Sequence, residues 1–219
     1  MAAFIVHPLT HGLLDDLCGD SFSTTVHGWT GNVLAIPSGG THFGFVQLGP
    51  AVLRCASGEF TLKAGMYFSV PGELEIASGR GIVITQKGFT GFFQLGGPIE
   101  NAGRLRYIDG CTDSLLIPPV LHGDPCLNLL HLPPATAQTA HTHPSLRVGL
   151  VIRGTGWCET DNGRVPLVPG LAFVIGAGHR HCFHTADSDL LVLAYHPDSD
   201  FGPTDADHPM RNRTQLSSE

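Results

Sequence analysis

Residues 169–184 read PGLAFVIGAGHRHCFH: a turn at Pro169-Gly170, an apolar run, a second tight turn at Gly176-Ala177-Gly178, and then His181. Short apolar runs closed by turn signals on both sides are strands of a sandwich or barrel. Working upstream, HTHP at 141–144 sets His141 and His143 two residues apart. On an extended strand that spacing turns both imidazoles to the same face. Such a pair is common by chance and carries little weight alone.

Sliding the chain against itself so that Ile36 overlays His141 aligns 36–76 with 141–181 without a gap. Gly44 then falls on Gly149, Val46 on Val151, Gly49 on Gly154, Gly58 on Gly163, Leu62 on Leu167, Gly65 on Gly170 and Phe68 on Phe173. Most of these identities are glycines, which mark turns and bulges. Both copies share one pattern: FGFVQLG, AVLRCASGEFTLKAG and MYFSVPG against VGLVIRG, GWCETDNGRVPLVPG and LAFVIGAG. The expectation is an all-β chain of two tandem units, 1–108 and 109–219, with GGPIENAG at 96–103 starting the crossover.

Composition agrees. With 42% hydrophobic and 14% charged residues, 28 Gly and 16 Pro, the chain of 219 residues is turn-rich and compact rather than disordered or helical. A formal net charge of −7 supplies no basic stripe for a nucleic acid. A small ligand is expected instead. The start, MAAFIVHPLTHG, lacks a basic segment before a long apolar run, and no apolar stretch is long enough to span a membrane, so a soluble, cytoplasmic protein is expected. The six cysteines, Cys18, Cys55, Cys111, Cys126, Cys158 and Cys182, form no CxxC pair and are expected as small apolar residues. Nine of the 13 histidines follow residue 120, which points to chemistry in the second half.

Taken in order, HTHP and PGLAFVIGAGHRHCFH resemble the two motifs of the cupin superfamily. The first motif runs from HxH to a glutamate and then a glycine, matched by His141, His143, Arg147 and Gly154. The second runs from a glycine to PxGxxH and an asparagine, matched by Gly170, Gly176-Ala177-Gly178 and His181. The resemblance covers both halves, more strongly the second. It implies two double-stranded β-helix (jelly-roll) barrels, with one divalent metal per chain held by His141, His143 and His181. The positions of the first unit that overlay these ligands are Ile36, Ser38 and Ile76, so its site is expected to be lost.

Four positions depart from the pattern: Ala135 for the leading glycine, Gly176 for the proline, Thr185 for the asparagine and Arg147 for the glutamate. Only the last changes charge at the metal. Arg147 either points inward, where its guanidinium would bind a substrate carboxylate, or outward to Glu159 or Asp161. His179 and His184 are expected to be solvated or hydrogen-bonded, and His131 and His196 to be structural groups near the barrel lining. The tail, HPDSDFGPTDADHPMRNRTQ, forms no long element and either wraps over a barrel or partner or is a loose end.

Three imidazoles leave coordination positions open for a substrate or dioxygen. The all-histidine set looks most like the cupin dioxygenases of thiols and β-diketones, so the resemblance implies an iron-dependent oxidoreductase acting on a small anion. A zinc, nickel or manganese lyase or isomerase, and a non-enzymatic ligand-binding sensor, are the alternatives. Because ligands must be neutral, metal affinity is expected to fall below about pH 6 to 7. Pairing of exposed β edges gives the expectation of a homodimer.

Overall fold

The computed structural model describes residues 4–206 together with 208, 210 and 215; the end of the expected tail lies outside the described residues. The strands in chain order are β1 (Phe4–Pro8), β2 (Gly12–Leu17), β3 (Thr24–Thr30), β4 (Leu34–Ile36), β5 (Gly40–Leu48), β6 (Ala51–Cys55), β7 (Gly58–Leu62), β8 (Tyr67–Pro71), β9 (Leu74–Ala77) and β10 (Arg80–Lys87). After β11 (Gln94–Gly96) and β12 (Leu105–Arg106), the second half holds β13 (Thr112–Ile117), β14 (Cys126–Leu132), β15 (Arg147–Gly154), β16 (Gly156–Thr160), β17 (Gly163–Leu167), β18 (Leu171–Ile175), β19 (His181–His184) and β20 (Leu190–His196). One short 3-10 turn, Ile108–Gly110, lies between β12 and β13.

The chain is all-β, and its two halves repeat one jelly-roll plan. The first pairs a large sheet, β11-β8-β5-β10-β3-β2, with a small one, β4-β9-β6-β7; the second pairs β1-β18-β15-β20-β14-β13-β12 with β17-β16-β19. The large sheets are buried on both faces, which is why GIVIT and LLVLAY read as continuous apolar runs rather than alternating ones. On β5, Phe43 and Phe45 face the other half while Val46 faces the barrel interior; on β15, Val148 and Leu150 face out while Val151 faces in. Three apolar cores result: one inside each barrel and a third between the two large sheets. In that third core Tyr195 donates its buried hydroxyl to Gln86 Oε1 at 2.5 Å.

The repeat is visible in backbone detail. A Cβ on Gly44 would lie 2.0 Å from Phe68 Cζ, and one on Gly149 would lie 2.1 Å from Phe173 Cζ. Each glycine is therefore required by a ring laid across it, and both pairs are identities of the sequence overlay. One connection departs from simple tandem order: β1 pairs antiparallel with β18, Phe4 opposite Ile175, so the start of the chain belongs to the second half's sheet. β12 likewise pairs with β13. The division expected at residue 108 is crossed by both strands.

All six cysteines are free, and Cys111, Cys126, Cys158 and Cys182 are buried. Among the described residues no helix is long and apolar enough to cross a membrane.

Candidate metal centre

The structure brings His141, His143 and His181 together in the second barrel. Their ligating atoms lie within 4.8 Å of one another. The ring centroids are 5.0, 4.6 and 5.1 Å apart. His181 opens β19, and its backbone exchanges two hydrogen bonds of 3.0 Å with His141. The expected HxH strand is reduced to this single bridge, because Pro144 has no N–H to continue a ladder. Thr142 is nevertheless exposed, and His141 and His143 share the inward side as the spacing requires.

Two backbone carbonyls set the tautomers. His141 Nδ1 donates to Thr139 O at 2.8 Å and His181 Nδ1 to His179 O at 3.0 Å. A carbonyl can only accept, so the proton sits on Nδ1 and the lone pair on Nε2. His181 Nε2 is buried and has no protein partner. A lone pair directed into a cluster of two other imidazoles fits a divalent cation. Burial pushes the His143 pKa down to about 3, with Arg147 and the other two histidines adding to the effect. Burial likewise lowers His181 to about 4, against a small opposing contribution from its bond to His179. Both rings are thus neutral well below pH 6. The expectation that proton competition sets in near pH 6 to 7 is corrected for these two ligands, because desolvation disfavours the imidazolium.

Beside the triad is a cavity of about 260 Å³. Its lining combines Phe173, Ile175 and Phe183 with Asp113, Asn128 and Arg147. Arg147 is 9% exposed, and it projects into this space because Val148 on the next position faces the other half. The outward alternative is not realised: Glu159 pairs with Arg164, and Asp161 with Arg180. One edge of the guanidinium is anchored. Nη1 donates to Ser145 O at 3.2 Å and Leu146 O at 2.8 Å, and lies 3.6 Å from Asp198, which itself accepts from the Ser145 hydroxyl. Among the described residues Nε and Nη2 make no hydrogen bond, and Nε is buried. That free edge has the two parallel donors a carboxylate accepts.

Of the other histidines, His184 points away from the cluster and stacks on Trp157, centroids 5.3 Å apart. His179 contributes only its carbonyl to His181. His131 lies 3.3 Å from Asp189, facing the side opposite the cavity from Asn128 on the same strand. His196 does line the cavity, 6.3 Å from His143, and burial drives its pKa well down. In the first half Ile36 and Ile76 lie in the apolar core and Ser38 is exposed. Sequence reasoning passed over Asp113 and Asn128. No sequence signal marked them, because the inward face of β13 and β14 is set by the covering half.

Residues 128–195 match the cupin domain model. No curated protein matches the sequence. Among solved structures, the chain is similar to a cupin 2 conserved barrel domain protein from Leptotrichia buccalis (TM-score 0.61, 11% identity, covering 89% of this chain and 88% of that one). It is also similar to salicylate 1,2-dioxygenase from Pseudoaminobacter salicylatoxidans in complex with gentisate (TM-score 0.58, 10% identity, 80% and 68%). A third is Bacillus subtilis oxalate decarboxylase, which has Mn(II) centres (TM-score 0.56, 10% identity, 91% and 78%). The fold is a pair of jelly rolls, the second with a histidine-lined cavity. The second half carries the domain that the cupin model matches, and the solved structures share the fold of both halves.

Proposed function

We propose that the second barrel is a metal-dependent catalytic site, most simply that of a dioxygenase-type oxidoreductase acting on a small anionic molecule. The observation that carries this is the buried, unpartnered Nε2 of His181 directed into a three-imidazole cluster that opens on the Arg147 cavity. His141, His143 and His181 would hold one divalent ion, iron by preference, with zinc, nickel or manganese as the other candidates. Such an ion supplies a Lewis-acid or redox centre with open positions for substrate and dioxygen. Arg147 would seat a substrate carboxylate on its Nε and Nη2 edge. The apolar walls, Phe173, Phe183 and Ile175, would limit water around it. Support for redox chemistry comes from the all-histidine donor set and from the salicylate dioxygenase likeness. The oxalate decarboxylase likeness keeps a non-redox lyase as the second reading.

We place the two duplicated units at 1–108 and 109–219, with β1 and β12 of the first joining the sheet of the second, in a cytoplasmic homodimer. Elemental analysis of protein purified without chelator tests the metal assignment. About one equivalent per chain is expected, and none in His181→Ala; two equivalents, or full retention in the variant, would refute it. Oxygen uptake by the iron-loaded protein with thiols, diketones and aromatic acids then separates the redox from the lyase reading.

A further inference from the structure

On the same sheet as Arg147, beyond β20, the cavity lining presents two polar groups with no protein partners. Asp113 on β13 and Asn128 on β14 both line the cavity. The register, Asp113 opposite Leu130 and Leu115 opposite Asn128, makes them diagonal neighbours on one face of the sheet, within reach of a single small group. Asn128 Oδ1 is buried with no hydrogen bond, and burial alone, with no hydrogen bond or ion pair among the described residues, acts on the Asp113 carboxylate. Its flanking residues in the register, Leu105 and Leu130, are apolar, and burial pushes its pKa up to about 6. A carboxylate and an amide oxygen left unmatched in an apolar wall are costly unless a ligand supplies donors.

We propose that Asp113 and Asn128 form an ammonium subsite, so that the cavity selects a small amino-carboxylate, its carboxylate on Arg147 and its ammonium on the β13–β14 wall. The inference rests on the anion-binding reading of Arg147 given above. Two acceptors on adjacent strands call for more than one donor. A hydroxyl brings one hydrogen and no charge; an ammonium brings three and the charge that matches Asp113. The volume, about 260 Å³, suits a molecule of this small class.

Calorimetry of the protein as purified, at pH 7.5, with L-alanine, L-lactate and propionate tests this. These three differ only in the group that would meet Asp113 and Asn128. L-Alanine is expected to bind at least about tenfold tighter than propionate, with lactate between them. Asp113→Asn and Asn128→Leu should each cut the alanine advantage to about threefold or less, leaving propionate affinity near that of the wild type and the thermal midpoint no lower. An alanine advantage that survives in both variants would assign it to chelation by the metal and overturn the subsite. So would lactate binding tighter than alanine, or alanine binding no tighter than propionate. If propionate itself fails to bind, the Arg147 reading falls and takes this one with it; if it binds without an alanine preference, only the ammonium subsite falls.

Discussion

Replacing Arg147 tests the anion site, and the structure sets what the substitution should cost. In Arg147→Ala the hydrogen bonds from Nη1 to Ser145 O and Leu146 O disappear, and Asp198 loses the cation 3.6 Å away. Hydrogen bonds from a charged group are worth about 1.5–3 kcal/mol, and the groups left behind are part-buried, so the fold should lose on the order of 2–4 kcal/mol. A surface arginine would cost about 0–1 kcal/mol. For ligand binding, loss of a two-point charge-assisted pair costs on the order of 2–4 kcal/mol, or roughly 30- to 1,000-fold in affinity for propionate or benzoate. Arg147→Lys keeps the charge but not the parallel donors, so it should recover only part of that affinity. Arg147→Glu restores the carboxylate common in the family, and should tighten metal and repel the anion. Metal content should stay at wild-type level in the alanine variant. Chemical denaturation, elemental analysis and calorimetry give the three readouts. Equal carboxylate affinity in wild type and Arg147→Ala would remove Arg147 from the site, whatever the stability change.

Ala194 lies opposite Gly149 on the cavity floor, where the first barrel has Val83 opposite Gly44; Ala194→Val should therefore shrink the cavity and weaken propionate at least about tenfold, with metal stoichiometry unchanged. Elemental analysis beside calorimetry checks it. For Asp113, a carboxyl raised from 3.8 to about 6 binds more protons folded than unfolded, so it lowers stability as pH rises through that window. Asp113→Asn should therefore raise the melting midpoint at pH 8 relative to wild type and not at pH 4, the difference being about 1–2 kcal/mol for a part-exposed group; an equal effect at both pH values would refute the titration. Ala135 has φ +60°, the left-handed conformation of the glycine it replaces in the cupin pattern. Ala135→Gly relieves about 1–2 kcal/mol of strain against about 0.5–1 kcal/mol of added chain entropy, so a small gain in denaturation free energy is expected, and a loss would show the strain is absent.

The clustering of His141, His143 and His181 and the duplicated sheet order were legible because both rest on local spacing: HTHP, the Gly176-Ala177-Gly178 turn before His181, and glycines that recur where rings cross the chain. That β1 joins the second half's sheet was not legible. FIVHP is an ordinary short strand, and which sheet edge it joins depends on a contact with β18 far along the chain. Nor could spacing orient Arg147, since Pro144 breaks the strand parity before it, while the packing of Val148 against the first half settles it. Asp113 and Asn128 were invisible for a different reason: a polar residue in a strand reads as solvent-facing until the sheet's other face is known to be covered.

Pairing partners, rather than sequence identity, explain why one duplicated barrel holds a cavity and the other does not. Gly81 pairs with Trp29 and Val46, and Val192 pairs with Leu130 and Val151, so Trp29 stands in the first barrel where Leu130 stands in the second. The Trp29 indole is fully buried and a Cβ on Gly81 would lie 2.1 Å from it, so the ring occupies the interior that Leu130 leaves open. Arg147 has its counterpart in His42, which is fully buried, takes the Thr85 hydroxyl at Nδ1 at 2.8 Å, and donates Nε2–H to Gly72 O. Every polar atom of that ring is thus consumed by the protein, whereas the Arg147 Nε is left unused. The first barrel fills the corresponding space with packing and closed hydrogen bonds, and contributes Phe43, Phe45, Ile82 and Ile84 to the core behind β15 and β20. Those two strands carry Arg147, Gly149, Ala194 and His196, so the filled barrel acts as the rigid backing against which the cavity of the other is held open.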